Sequence, residues 1–189
     1  MRAVYAAGVD YDDPLSVLEV GERPEPQSKP FWSTISVHAS TVNHHDVWSL
    51  QGVGLGADAT PMILGTDAAG TLDEDIPVRK GLKAGSEVVL YTFVGTDGAG
   101  VMPGERRTIL SEKYAGTMAE KTQVPSANVF AKPANLTLDE AAALGTSWIT
   151  AYSLLFTSAN VEPGDTILVQ GAGGGVSTAA IQLAHAAEI

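Results

Sequence analysis

Three stretches of this sequence carry residue types that could do chemistry. Residues 166–180 read TILVQGAGGGVSTAA: a short apolar run enters a glycine-rich turn and opens onto an Ala-rich segment. Backbone amides at the start of a helix, unhindered by side chains, can approach a pyrophosphate and meet it with the positive end of the helix dipole. In the dinucleotide-binding fingerprint a last glycine permits tight helix–strand packing, and here Ser177 stands in that place. The plainer alternative is a turn that only joins a strand to a helix. His44-His45-Asp46 suggests a metal site or a relay, yet sequence neighbours diverge on either a strand or a helix. Two adjacent imidazoles therefore do not readily share an ion, and solvated or capping roles compete. GTDAAG at residues 65–70 sets Asp67 among small residues, which implies a partly buried carboxylate in need of hydrogen-bond partners.

The elements that must position these residues follow from periodicity and punctuation. Residues 1–6 and 15–20 read as short strands, and Pro24, Pro26 and Pro30 make residues 22–30 an extended connection. Residues 31–39 alternate, with Phe31, Ser33, Ile35, Val37 and Ala39 to one side and Trp32, Thr34, Ser36 and His38 to the other, as in a half-buried strand. Residues 43–50 make one or two helical turns. Residues 87–94 and 118–124 read as further strands, separated by a Gly-rich loop at 95–104. Many short strands broken by Gly and Pro predict a small, partly open β-barrel over residues 1–130. Near residue 135 the pattern changes. Thr137 and Glu140 form a capping box, a helix runs to Gly145, and Trp148, Ala151, Tyr152, Leu155 and Phe156 space a second helix over 147–158. Residues 166–169 read as a buried strand and 176–187 as a helix, the opening of a parallel βαβ unit.

Bulk composition narrows the function classes. The chain has 189 residues, 44% hydrophobic and 17% charged, with a formal net charge of −11. Phosphate backbones and anionic membranes repel such a chain, and its basic residues cluster no further than the pairs Arg79-Lys80 and Arg106-Arg107. No nucleic-acid or membrane partner is expected. The absence of cysteine excludes disulfides, a thiolate nucleophile and Cys-ligated zinc. The first residues lack the apolar core of a signal peptide, and no run approaches the ~18 apolar residues of a membrane span. A cytoplasmic location is expected.

Five pieces in order resemble the medium-chain dehydrogenase/reductase superfamily, most strongly its zinc-independent quinone-oxidoreductase-like branch. They are VNHHDVWSLQG (42–52), PMILGTDAAG (61–70), KAGSEVVLY (83–91), AAALGTSWITAY (141–152) and PGDTILVQGAGGGV (163–176). The resemblance implies a mixed α and β fold: a GroES-like β-barrel catalytic domain over 1–147, then the first βα unit of a truncated Rossmann domain over 148–189. It also implies that zinc-dependent members carry Cys, His and Cys at positions matching Asn43, Thr66 and Thr146. The four-Cys zinc lobe is replaced by the loop around 95–111. Neutral Asn and Thr are poor zinc ligands, so no metal is expected.

In the zinc-free branch, the resemblance places Asn43 and Thr66 at the reacting centre and lets Asp46 orient it, with the substrate oxygen held by donors near Asn43. His44 and Thr146 would lie along the cofactor, and Thr150 would pack on its nicotinamide ring. Gly173, Gly174, Gly175 and Val176 would supply the phosphate turn. Trp48 would wall the substrate pocket, or be buried as core. The implied activity is hydride transfer from NADPH or NADH to a quinone, enone or similar carbonyl-activated small molecule, by a homodimer in a longer protein. The ribose-binding residue would lie past Ile189, so the chain reads as a fragment. Two rival readings are a catalytically silent GroES-like interaction module and a zinc-type alcohol dehydrogenase relative.

Overall fold

The computed structural model describes residues 1–77, 81–95 and 107–189. Arg79-Lys80, Arg106 and all but the first residue of the expected 95–104 loop lie outside the described residues. Strand β1 (Arg2–Ala6) pairs antiparallel with β2 (Leu18–Glu22) and β4 (Met62–Ile63). A five-stranded antiparallel sheet runs β10 (Val129–Ala131), β6 (Glu87–Leu90), β5 (Ala68–Leu72), β3 (Trp32–Ser40) and β9 (Lys121–Pro125). A third, two-stranded ribbon pairs β7 (Phe93–Val94) with β8 (Thr108–Ile109). The first two sheets are stitched by the Ala3–Ala119 bridge and the Val4 amide on the Met118 carbonyl at 2.8 Å. The result is the curled half-barrel expected of a GroES-like domain.

Ile35, Leu72, Val88, Leu90, Val124 and Val129 fill the barrel from alternate positions of five strands. The other face of β5 is made of small residues. Ala69 meets Ala141 and Ala142 of α2 (Leu138–Ala142), so helix and sheet pack closely. The register between β3 and β5 shifts between Val37 and Ala39, a bulge that brings the Ser36 carbonyl onto Gly70, where any side chain would overlap it.

Several local expectations change. Pro14 starts a short 3₁₀ turn (Pro14–Val17), so β2 begins only at Leu18. Phe31 takes a φ of 64° and stays exposed outside the strand, while Trp32 turns into the core against Tyr114, ring centroids 4.8 Å apart. An indole at a strand end buries more apolar area inward than alternation alone would give it. Residues 166–169 form no strand, and Leu168 is 86% exposed. A strand is held by its neighbours, and none is paired to this one.

The helical half is more continuous than its glycine suggests. After α2 the chain runs on through a wide π-type turn (Leu144–Trp148), α3 (Ile149–Tyr152) and a second π-type turn (Ser153–Ser158). Gly145 lies inside the first wide turn and does not break it. Helix α4 (Gly175–Ala186) packs against α3 and that first turn. Among the described residues no helix is long and apolar enough to cross a membrane.

Candidate active site

Where β3 ends, the chain turns at Thr41 and enters α1 (His44–Leu50), with Asn43 extended at the cap position. Asp46, three residues on, accepts the Asn43 amide at 2.7 Å and the Gly65 amide at 3.0 Å. One buried carboxylate thus ties the start of α1 to the segment between β4 and β5. Burial pushes the Asp46 carboxyl above its ordinary pKa, and the two amides together with nearby His45 oppose that shift.

Around this tie the structure brings Asn43, Thr66 and Thr146 together. Asn43 Nδ2 lies 3.0 Å from Thr66 Oγ1, which lies 2.8 Å from Thr146 Oγ1. Asp67, 1% exposed, takes the Thr146 amide and hydroxyl on Oδ1 at 2.6 and 2.7 Å. Its Oδ2 takes the Thr41 hydroxyl at 2.8 Å and Asn43 Nδ2 at 2.9 Å. Thr66 is fully buried, whereas Asn43 and Thr146 are half-buried. Gly145 has no room for a side chain because its first carbon would overlap Asp67 Oδ1.

His44 and Trp48 stand apart from this cluster, on the outer face of α1 with ring centroids 5.8 Å apart. Trp48 is 48% exposed, so it is not core. His45 diverges from His44 as adjacency requires, with Nε2 3.4 Å from Ser49 Oγ and 3.9 Å from Glu112 Oε1. Thr150, four residues beyond Thr146 in the helical segment, is half-buried.

The glycine turn is exposed, and the space a side chain at Gly173 would occupy is open. Gly171 (φ 65°) accepts the Gly174 amide at 3.2 Å, the Ser177 hydroxyl donates to the Gln170 carbonyl at 3.2 Å, and Thr178 donates to that of Ala172 at 3.3 Å. Ser177 therefore braces the turn that a glycine would only have packed. The turn reaches the polar cluster through one residue: a side chain at Gly175 would stand 2.6 Å from Ser147 Oγ, next to Thr146.

Zinc does not fit these donors. The cluster offers an amide, three hydroxyls and one carboxylate whose oxygens already accept two hydrogen bonds each, with no thiolate or imidazole. Among the described residues no group of three or more His, Cys, Asp or Glu is placed to hold a metal ion. A pyrophosphate does fit the turn: three glycines leave the start of a 12-residue helix bare, with first-turn amides that have no intrahelical acceptor.

Thr41, Gly145 and Ser147 were not singled out by sequence reasoning, and Asp67 was marked only as a buried carboxylate. The usable signal was Gly145 beside Thr146, a glycine inside a helix-forming run.

Residues 29–134 match the family described as the alcohol dehydrogenase GroES-like domain. The synaptic vesicle membrane protein VAT-1 homolog of Rattus norvegicus is 34% identical over 163 residues, which is 86% of this chain and 35% of that protein. A quinone oxidoreductase of Pongo abelii is 30% identical over 161 residues, 85% of this chain and 43% of its own length. The crystal structure of an NAD-dependent alcohol dehydrogenase superposes with a TM-score of 0.85 at 36% identity, over all of this chain and 56% of that one. The chain thus spans about a third to just over a half of these three proteins. With the GroES-like half-barrel, it belongs to the medium-chain dehydrogenase/reductase superfamily.

Proposed function

We propose that this chain carries the catalytic half and the cofactor mouth of a zinc-free NAD(P)H-dependent reductase acting on quinones, enones or similar carbonyl-activated small molecules. Residues 1–147 are read as the catalytic domain and 148–189 as the start of the cofactor domain. The observation that carries the reading is the continuity of two sites: Thr146 belongs to the polar cluster, and its neighbour Ser147 abuts Gly175 of the phosphate turn. A dinucleotide gripped at the α4 N-terminus would extend from there towards the cluster of Asn43 and Thr146.

When bound, the nicotinamide supplies the hydride. The chain's own residues do the rest. Gly173, Gly174, Gly175 and Val176 would hold the pyrophosphate through backbone amides, with His44 as a further cofactor contact. Thr146 and Thr150 line one side of the helical segment towards the ring. Asn43 and Thr66 stand at the reacting centre, and Asp46 holds Asn43 there. Trp48 offers an exposed aromatic wall for a planar substrate.

Titration with NADPH, followed by its fluorescence, tests the reading. Saturable micromolar binding that is lost on Gly173→Asp supports it. A second reading has a specific observation behind it: the unpaired residues 166–169, with Leu168 exposed, favour a silent module when the chain stands alone. No binding by this chain, or by a longer form, leaves that reading standing. Stoichiometric zinc in the purified protein overturns the metal-free assignment.

A further inference from the structure

Hydrogen-bond direction in the cluster is settled by counting hydrogens. The Thr146 amide and Asn43 Nδ2 can only donate, one to each oxygen of Asp67, which suits an ionised carboxylate that only accepts. Thr146 has a single hydroxyl hydrogen, and it goes to Asp67 at 2.7 Å. The 2.8 Å contact between the two threonine hydroxyls is therefore donated by Thr66. Asn43 Nδ2 has two hydrogens, which go to its two nearest acceptors, Asp67 at 2.9 Å and Thr66 at 3.0 Å, with Thr41 Oγ1 a longer third contact at 3.3 Å. Donation thus runs from Asn43 to Thr66 to Thr146 to Asp67, and closes directly from Asn43 to Asp67. The side-chain hydrogens of the three site residues all end on one buried carboxylate, directly or through a neighbour. The donors expected to hold a substrate oxygen near Asn43 are, in this arrangement, turned inward.

We propose that Asp67 is the positioning residue of this site, doing by hydrogen bonds what a bound metal does by coordination. It joins Thr41 and Asn43 from the barrel to Thr146 from the helical segment, and Gly145 lets the two backbones come that close. A ligand oxygen reaching Thr146 must share a hydrogen that Asp67 already holds, and one reaching Asn43 must share a hydrogen held by Asp67 or Thr66, so the position of that hydrogen is set before the ligand arrives. The catalytic consequence, which rests on the proposed hydride transfer, is a fall in kcat with little change in KM when Asp67 is altered. A misplacement of about 1 Å at such a site costs on the order of 10²-fold.

The test reads the chain's own amides in ¹H–¹⁵N spectra of all 189 residues. In Asp67→Asn, the Thr146 backbone amide moves upfield, its hydrogen exchange speeds about tenfold or more, and the Asn43 side-chain amide shifts with it. In Gly145→Ala the Thr146 signal moves and the Asn43 signal moves less, because only the helical side is pushed away. Both signals unchanged in Asp67→Asn overturns the assignment. If Asp67→Asn fails to fold, Thr41→Val and Thr146→Val each remove one donor. The Asn43 amide then shifts in both, and Thr146→Ser restores it; an unmoved Asn43 signal overturns the assignment. With a quinone and NADPH, Asp67→Asn lowers kcat about 10²-fold with dinucleotide binding retained. The spectral shifts without turnover in any form support the positioning role and sink the hydride-transfer reading alone.

Discussion

Asp46 sits in a place that resists charge, and two backbone amides offset the cost of ionising it. Asp46→Ala leaves the Asn43 and Gly65 amides unpaired, at about 1–3 kcal/mol for each, and frees the start of α1 from the β4–β5 segment. Chemical denaturation with the Asn43 signal followed in parallel checks this; a loss below about 1 kcal/mol refutes the tie. The pH dependence has a definite sign. Burial raises the folded pKa of Asp46 above its unfolded value, so its contribution is most favourable below the unfolded pKa and is lost as pH rises through the folded one. The stability advantage of the wild type over Asp46→Asn should therefore shrink as pH climbs past the ordinary carboxylate range. Single residues were only partly legible in the sequence. Asn43, Thr66 and Thr146 are drawn together by the resemblance, and two threonines 80 positions apart gave no local sign of their contact. The central role of Asp67 was hidden because a carboxylate's partners are set by tertiary approach, and its partners come from two distant segments, Thr41 and Asn43 from one and Thr146 from the other.

Elements were clearest where one local rule decided them. Thr137 and Glu140 exchange hydrogen bonds at 3.2 and 2.8 Å, the reciprocal cap read from sequence. Thr137→Ala should cost about 1 kcal/mol, measured by urea unfolding, with α2 loosening from Ala69 first. The Glu140 carboxyl is held below its ordinary pKa by the Thr137 amide and hydroxyl. Its contribution is present above the unfolded pKa and is lost as pH falls through the folded one, so the cost of Thr137→Ala should diminish in acid. Elements were illegible where the rule was not local. The alternation of β3 was visible, but its bulge depends on β5 lying opposite, with Gly70 taking the Ser36 carbonyl. The expected strand at 166–169 had the right residues and nothing to pair with. The wide turns at Leu144–Trp148 and Ser153–Ser158 break the 3.6-residue spacing that had predicted a plain helix.

At the scale of the whole molecule, the half-barrel has its own core, and among the described residues the helical half meets it through α2 on β3, β5 and β6, through the first wide turn on β6 and through the Thr146 bonds to Asp67 and Thr66, with α4 packed in turn on α3. Beyond these lies the connector that leads to the glycine turn, irregular, unpaired and carrying Leu168 outward. To a protease such a connector is a substrate. Chymotrypsin should cut after Leu168 and release the α4 segment while the barrel survives, as mass spectrometry of a timed digest would reveal. A dinucleotide seated on the turn should slow that cut and leave other cuts unchanged. Equal cleavage at Leu168 with and without saturating NADPH would count against the turn as a grip.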